Sequence, residues 1–162
     1  MATTYEPIQT TTLGTAVTTV TLSSIPATYT DIICIVASPS GTEFGPGLRF
    51  GNGGTVDSGS NYSNTSLLGN GTSATSSRTS SVTYINPYTI NNSSNNIIQI
   101  LNYSNTTTYK TCLIRANTAA STVWANVGLW RSTAAIDTLY FYGGANSFAI
   151  GTTFTLYGIK AA

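Results

Sequence analysis

The chain has 162 residues, contains no histidine and has charged side chains at only 7 % of its positions. A catalyst that works near neutral pH usually relies on an imidazole, a tuned carboxylate or a metal cage, and this composition supplies few such groups. The composition therefore disfavours an enzyme and predicts a non-enzymatic protein with no cofactor and no metal site.

The net charge and its distribution along the chain indicate which kinds of partner the protein can bind. Six Lys and Arg residues against five Asp and Glu residues give a net charge of +1, and the basic residues are scattered singly along the chain. Nucleic-acid binding needs clustered basic side chains that displace counterions, so nucleic acid is excluded as an expected partner. A nearly neutral surface produces little mutual repulsion, which favours a homo-oligomer.

Length and hydrophobicity predict a single domain over residues 1–162. Hydrophobic residues make up 41 % of the chain and aromatic residues 10 %, which is enough for a folded core. The N-terminal sequence has neither the basic nor the apolar part of a secretory signal, and the apolar run at residues 32–37 is too short to cross a bilayer. We therefore expect a protein made in a cytoplasm with no membrane partner.

The first nine residues are polar apart from Tyr5, Pro7 and Ile8. They precede the first strand-like run, and we interpret them as a possible extended arm that docks on a neighbouring subunit. The alternative is a frayed terminus. If the arm exists, removing residues 1–9 should weaken assembly and leave the β circular-dichroism spectrum in place.

Short runs rich in Thr, Val, Ile, Tyr and Phe follow, separated by Gly, Asn, Pro and Ser, and no window has a helical period. The predicted strands are residues 16–22, 31–37, 48–51, 61–68, 81–85, 96–103, 107–115, 122–130, 136–142 and 153–159. Strands at this spacing predict an all-β fold, a two-sheet β-sandwich of the jelly-roll type. An up-and-down barrel is the alternative.

Two of these runs differ in pattern. Residues 32–36 are apolar at every position, as expected of a strand buried between two layers, whereas residues 153–159 alternate and predict a half-exposed strand. Cys34 and Cys112 lie in apolar runs, and we interpret them as buried thiols. The sequence leaves open whether the two are paired.

The segment from Asp57 to Asn61 has oxygen-bearing side chains at short spacing. We interpret it as a turn in which the Asp57 carboxylate accepts a backbone hydrogen bond. A calcium ion at Asp57 is the alternative.

Several aromatic residues lie among Asn, Ser and Thr and are the candidate contact residues. Tyrosine and tryptophan present a large apolar body with a polar tip, so the first interpretation is core or subunit interface. The second is a glycan-binding surface, where rings cover the apolar faces of sugars. The candidates are Tyr62, Tyr88, Tyr103, Trp124 and Trp130.

Stretches in order along most of the chain resemble virion structural proteins of tailed phages. They are residues 5–8, 25–32, 48–53, 59–63, 102–106, 110–111, 129–136 and 151–159. The chain departs from that pattern at residues 52–63, where the turn leading into Ser-Asn-Tyr-Ser is longer.

The resemblance implies a component of the virus particle. We expect a protein on the capsid exterior that decorates and cements the shell, binding the assembled major capsid protein and copies of itself, with a trimer as the expected order. The alternative is a tail-fibre or receptor-binding module that recognises glycans on the host surface. An enzyme that degrades surface polysaccharide is the third interpretation.

Overall fold

The computed structural model describes residues 4–39, 45–86, 93–118 and 121–160. These residues form twelve strands and no helix, which confirms the all-β prediction. The strands are β1 (Tyr5–Thr12), β2 (Thr19–Leu22), β3 (Asp31–Ser38), β4 (Gly47–Asn52), β5 (Thr55–Val56), β6 (Tyr62–Gly69), β7 (Ala74–Val82), β8 (Ser94–Leu101), β9 (Lys110–Thr118), β10 (Thr122–Trp130), β11 (Thr138–Tyr142) and β12 (Thr153–Ile159).

The strands form two sheets packed as a sandwich. The larger sheet has eight strands in the order β1-β12-β3-β8-β9-β10-β6-β7, and the smaller has four in the order β2-β11-β4-β5. All neighbouring strands are antiparallel. The two-sheet β-sandwich is confirmed. A jelly roll has eight strands in two sheets, whereas here the large sheet alone has eight, so that part of the prediction is not confirmed.

Most predicted strands lie close to observed ones, and β10 and β12 have the predicted bounds. The exception is the strand predicted at residues 81–85, where the structure has β7 at Ala74–Val82. Ser81 lies at a bulge with a φ of 56°, so the regular pairing of β7 with β6 ends near residue 81, which is the first residue of the predicted strand. Residues 74–80 have no apolar alternation because both faces of β7 are exposed.

The core lies between the two sheets and is built from alternate residues of each strand. Phe50 and Phe141 of the smaller sheet and Phe154 of the larger one are fully buried there, with the Phe141 and Phe154 rings 5.1 Å apart. This core fixes which side chains of the large sheet face inward. The alternate residues face away from the smaller sheet.

The strand predicted to lie between two layers is β3. It is central within the large sheet, and Cys34 on its inner side is fully buried. Ile33 and Ile35 face the opposite side, where the described residues of the chain form no second layer. Neighbouring side chains on the same sheet nevertheless leave Ile33 only 7 % exposed and Ile35 half-buried. The prediction of burial between two layers is therefore corrected: one apolar side of β3 meets the core, and the other belongs to the outer surface of the large sheet.

Candidate binding surface

Residues 5–8 of the predicted arm belong to β1, the edge strand of the large sheet. β1 pairs with β12 over its whole length, with a bulge after Pro7. Tyr5 and Pro7 are exposed, Ile8 packs against the core, and Lys160 forms a 2.8 Å ion pair with Glu6. The arm prediction is therefore corrected: backbone groups of this segment bond to their own chain and do not extend away from it.

The candidate aromatic residues lie mostly in the core. Tyr62, Tyr103 and Trp130 are buried, and the rings of Tyr62 and Trp130 stack with centroids 6.3 Å apart. Trp124 is half-buried against the same core. Tyr88 lies outside the described residues. The first interpretation of these three rings, as core residues, is confirmed, and the alternative of a glycan-binding surface is corrected for them because they occupy inward positions.

Asp57 closes the turn before β6. Its Oδ1 accepts a hydrogen bond from Gly59 N at 2.8 Å, and its Oδ2 accepts bonds from Asn61 Nδ2 at 2.9 Å and Trp130 Nε1 at 2.6 Å. The predicted turn is confirmed. Partial burial raises the pKa of Asp57. Hydrogen bonds from Trp130, Asn61 and Gly59, together with the charge of Arg49, lower the pKa by more than burial raises it, so it lies below its ordinary value.

Cys34 and Cys112 are free, buried thiols. They lie on β3 and β9, which are separated by β8. Burial raises the pKa of each thiol to about 12, because the interior disfavours the thiolate. The interpretation as buried thiols is confirmed, and the pairing that the sequence left open is absent from the structure.

The side of the large sheet that faces away from the smaller sheet, here called the outer face, has two central rows of side chains that are largely apolar. Directly opposed residues of antiparallel neighbours lie on the same face, so the register defines each row. The apolar members are Ile35, Ile97, Ala125 and Leu67 in one row and Tyr157, Ile33, Leu113 and Val127 in the next.

The outer face is exposed and large. Leu67 is 54 % exposed, Leu113 and Val127 are each 46 % exposed, and Val123 beside these rows is 62 % exposed. At about 4.8 Å between strands and about 3.4 Å per residue, the two rows across six strands cover about 400 Å² of a face of about 1,000 Å². Eight of the twelve positions in this area are apolar, and the other four are Thr155, Arg115, Gln99 and Thr65. Largely apolar patches of a few hundred Å² are often functional.

The outer side of the smaller sheet is different in chemistry. It has threonines and tyrosines, and the Arg49 guanidinium lies 4.4 Å from the centre of the Tyr142 ring. The Tyr142 ring also stacks with Tyr140, with centroids 6.0 Å apart. Aliphatic side chains are therefore concentrated on one exterior side of the sandwich.

Two basic residues, Arg78 and Arg115, lie on the outer face. Arg115 lies in the first apolar row between Ile97 and Ala125, and Arg78 lies at the end of the second row on β7. Both are exposed, and neither guanidinium donates a hydrogen bond to any described residue. The other four basic residues bond within the chain: Arg49 to Thr83 O, Lys110 to Thr108 O and Thr133 O, Arg131 to Ser63 and Tyr62 O, and Lys160 to Glu6.

Sequence reasoning missed the outer face. The signal was present in β3, whose residues are apolar on both sides, and in Leu113-Ile114, where consecutive apolar residues must face opposite ways. It was interpreted as double burial. In a sandwich with one further layer, the second apolar side instead belongs to the outer surface, where Leu113 is exposed and Ile33 is covered by neighbours on the same sheet.

The comparisons with known proteins were made for the whole chain. No family model, no curated protein and no solved structure matches it. Across the described ranges, His, Cys, Asp and Glu residues form no group of three or more suited to a metal ion. No helix in those ranges is long and apolar enough to span a membrane.

Proposed function

We propose that this protein is a non-enzymatic virion structural protein of a tailed phage, which decorates and cements the capsid exterior by binding the assembled lattice of the major capsid protein. The ordered stretches that resemble such proteins supply the class. The observation that carries the binding role is the outer face, an exposed apolar surface centred on Leu113 and Val127. A face of about 1,000 Å² exceeds the about 800 Å² that each partner buries in a standard interface.

The stabilising mechanism is mass action. A protein that binds the assembled shell and not its dissociated subunits shifts the equilibrium toward the shell, by an amount that grows with its free concentration. No chemical step is needed. This fits a chain with few charged residues, whose described carboxylates accept structural bonds such as those of Asp57.

Self-association is a further part of the proposal, with a trimer as the expected order. β7 pairs with β6 along one edge, and its other edge faces no strand in the described chain. It has nine residues and no proline, and such open edges accept strands from other chains. At the opposite end of the sheet, Pro7 and the adjacent bulge make β1 a poorer acceptor. Cyclic association would multiply the contacts of each subunit with the lattice.

The experiment that tests this function is the copy number of the chain in intact virions, measured by quantitative mass spectrometry relative to the major capsid protein. A number comparable with that of the capsid protein supports decoration. A few copies per particle would instead favour the tail and its fibres, and absence from virions would contradict both.

The second candidate is a tail-fibre or receptor-binding module that recognises host-surface glycans. It is favoured by the half-buried tyrosines on the outer side of the smaller sheet, where Tyr84 and Tyr140 pack against Tyr142 beside Arg49. A glycan-array signal that is lost in Tyr140→Ala and kept in Thr75→Ala, an exposed position on β7 of the other sheet, would support this candidate. No signal for the wild-type protein would contradict it.

A further inference from the structure

We infer that the outer face docks on a different protein, through an apolar surface that carries a carboxylate opposite Arg115. This rests on the proposed function, in which the assembled capsid protein offers that surface. The inference adds the chemistry of the contact and the residue that recognises it.

The first step concerns the position of Arg115. Its row neighbours are Ile97 and Ala125, and Leu113 lies two residues along the same strand and on the same side. Covering the apolar rows would remove water from the guanidinium, and a desolvated charge without a partner is costly. A partner that covers this face therefore has to supply an acceptor, and a carboxylate matches the guanidinium in charge and in its two parallel bonds.

The second step compares a second copy of this chain with a different protein. Four of the five acidic residues lie in the described ranges, and each accepts bonds from its own chain. Glu6 pairs with Lys160, Asp31 accepts a bond from Asn102 N, Asp57 holds its turn, and Asp137 accepts bonds from Gly53 N and Thr138.

Of these four, Asp31 is the one on the outer side of the large sheet, opposite Ile159, and it already accepts the bond from Asn102 N. A second copy therefore brings one described carboxylate for two arginines on this face. Packing two outer faces together would also bring the arginines of both copies into one interface. Like charges in a desolvated contact are unfavourable. Charge complementarity therefore favours a partner other than this chain.

The third step is the size of the surface. The apolar centre of about 400 Å² within a face of about 1,000 Å² has the proportions of an interface with an apolar core and a polar rim. Asn95 and Asn117 on one side of the central rows are exposed and polar, as a rim requires. Arg78 at the β7 edge lies where a rim charge would speed association rather than anchor the complex.

The test measures binding of the purified full-length chain to shells assembled from the major capsid protein of the same phage and lacking this chain. Arg115→Met removes the charge and keeps most of the apolar stem, and we expect it to bind at least about thirtyfold more weakly. Arg115→Lys restores the charge but not the two parallel bonds, so it should bind more tightly than Arg115→Met and more weakly than wild type. Thr21→Glu is the matched control, since it makes the same change in net charge at an exposed position of the smaller sheet.

A second pair of variants tests the apolar rows. Leu113→Asn places an amide in the centre of the outer face, and Ile150→Asn makes a similar change at an exposed loop position elsewhere. We expect Leu113→Asn to weaken shell binding by about tenfold or more and Ile150→Asn to leave it unchanged. Circular dichroism and urea unfolding of each variant establish that the fold is intact.

The outcomes separate this inference from the proposed function. If the wild-type protein does not bind shells, the proposed function fails and the inference fails with it. If wild type binds and Arg115→Met binds within about threefold of it, the inference alone is overturned. If Leu113→Asn leaves shell binding intact but dissociates a self-oligomer in sedimentation, the face binds a second copy, which also overturns the inference.

Discussion

The indole N–H of Trp130, the last residue of β10, donates a 2.6 Å hydrogen bond to the Asp57 carboxylate, 73 residues earlier in the chain. The Tyr62 hydroxyl donates to the backbone carbonyl of Asp57 at 2.9 Å and accepts a bond from Phe50 N at 3.1 Å. The loop between the two sheets is thereby tied to the buried rings of the core. Asp57 has a structural role in this arrangement.

Replacing Asp57 with alanine should therefore destabilise the fold. The change leaves the buried Trp130 N–H without its acceptor and removes the acceptor of Gly59 N, so we expect a loss of about 2–3 kcal/mol in the free energy of unfolding. Urea denaturation measures it. A double-mutant cycle with Trp130→Phe should give a coupling energy of about 1–2 kcal/mol, and additive effects would contradict the bond.

The same carboxylate predicts a pH dependence. The pKa of Asp57 is lower in the folded state than in the unfolded chain, so its stabilising effect is fully present above the unfolded pKa of about 3.9 and is lost as the pH falls through the folded value. The difference in unfolding free energy between wild type and Asp57→Ala should be constant near pH 6 and shrink below about pH 4. A difference that stays constant down to pH 2 would argue against an ionised Asp57 as the acceptor.

Gly128 allows the closest side-chain packing in β10. A Cβ atom at this position would lie 2.6 Å from Cys112 Sγ and 2.8 Å from Ile85 Cδ1, both buried. We expect Gly128→Ala to lower the unfolding free energy by about 1–3 kcal/mol through overpacking. Gly69→Ala on β6 is the matched control, because its Cβ would meet Val123 at an ordinary 3.5 Å. Equal effects of the two substitutions would rule out overpacking as the cause.

Removing residues 1–9 should destabilise the protein as well as change its surface. The deletion removes more than half of β1, exposes the edge of β12 and breaks the ion pair between Glu6 and Lys160. We expect a loss of about 2–4 kcal/mol on thermal or urea unfolding, from the lost ladder bonds at about 0.5–1.5 kcal/mol each. If the truncated protein were as stable as the full chain, residues 1–9 would not contribute to the fold, and their interpretation as an arm would be favoured instead.

The thiols provide a probe of global unfolding. Because burial raises the pKa of Cys34 and Cys112 to about 12, neither should react with a disulfide reagent at pH 8 while the protein is folded. Both should react in urea, at a rate that follows the unfolding transition. Rapid labelling of either thiol in native buffer would show that the sheet opens locally at β3 or β9.

Period-two patterns identified the strands wherever one side meets the core. β10 and β12 were predicted with their observed bounds because their inward residues alternate with smaller or polar ones. β7 gave no such signal, since residues 74–81 are exposed on both sides and only Val82 at its end packs against the core. The first residues of β1 were interpreted as an arm because the strand is held by backbone pairing with β12, and backbone pairing produces no pattern of apolar side chains in the sequence.

By itself the sequence determined the all-β class, the sandwich and the buried state of the thiols. The alternation of apolar and polar residues between turns indicates which side of each strand meets the core. Only the tertiary structure decided that Tyr62 and Trp130 are core residues and that Leu113, Val127 and Arg115 share one exposed face. Which strands become neighbours depends on pairing between distant segments, and local patterns do not encode that pairing. The outer face exists because five such pairings place the apolar residues of six strands side by side, and no single segment of the chain contains it.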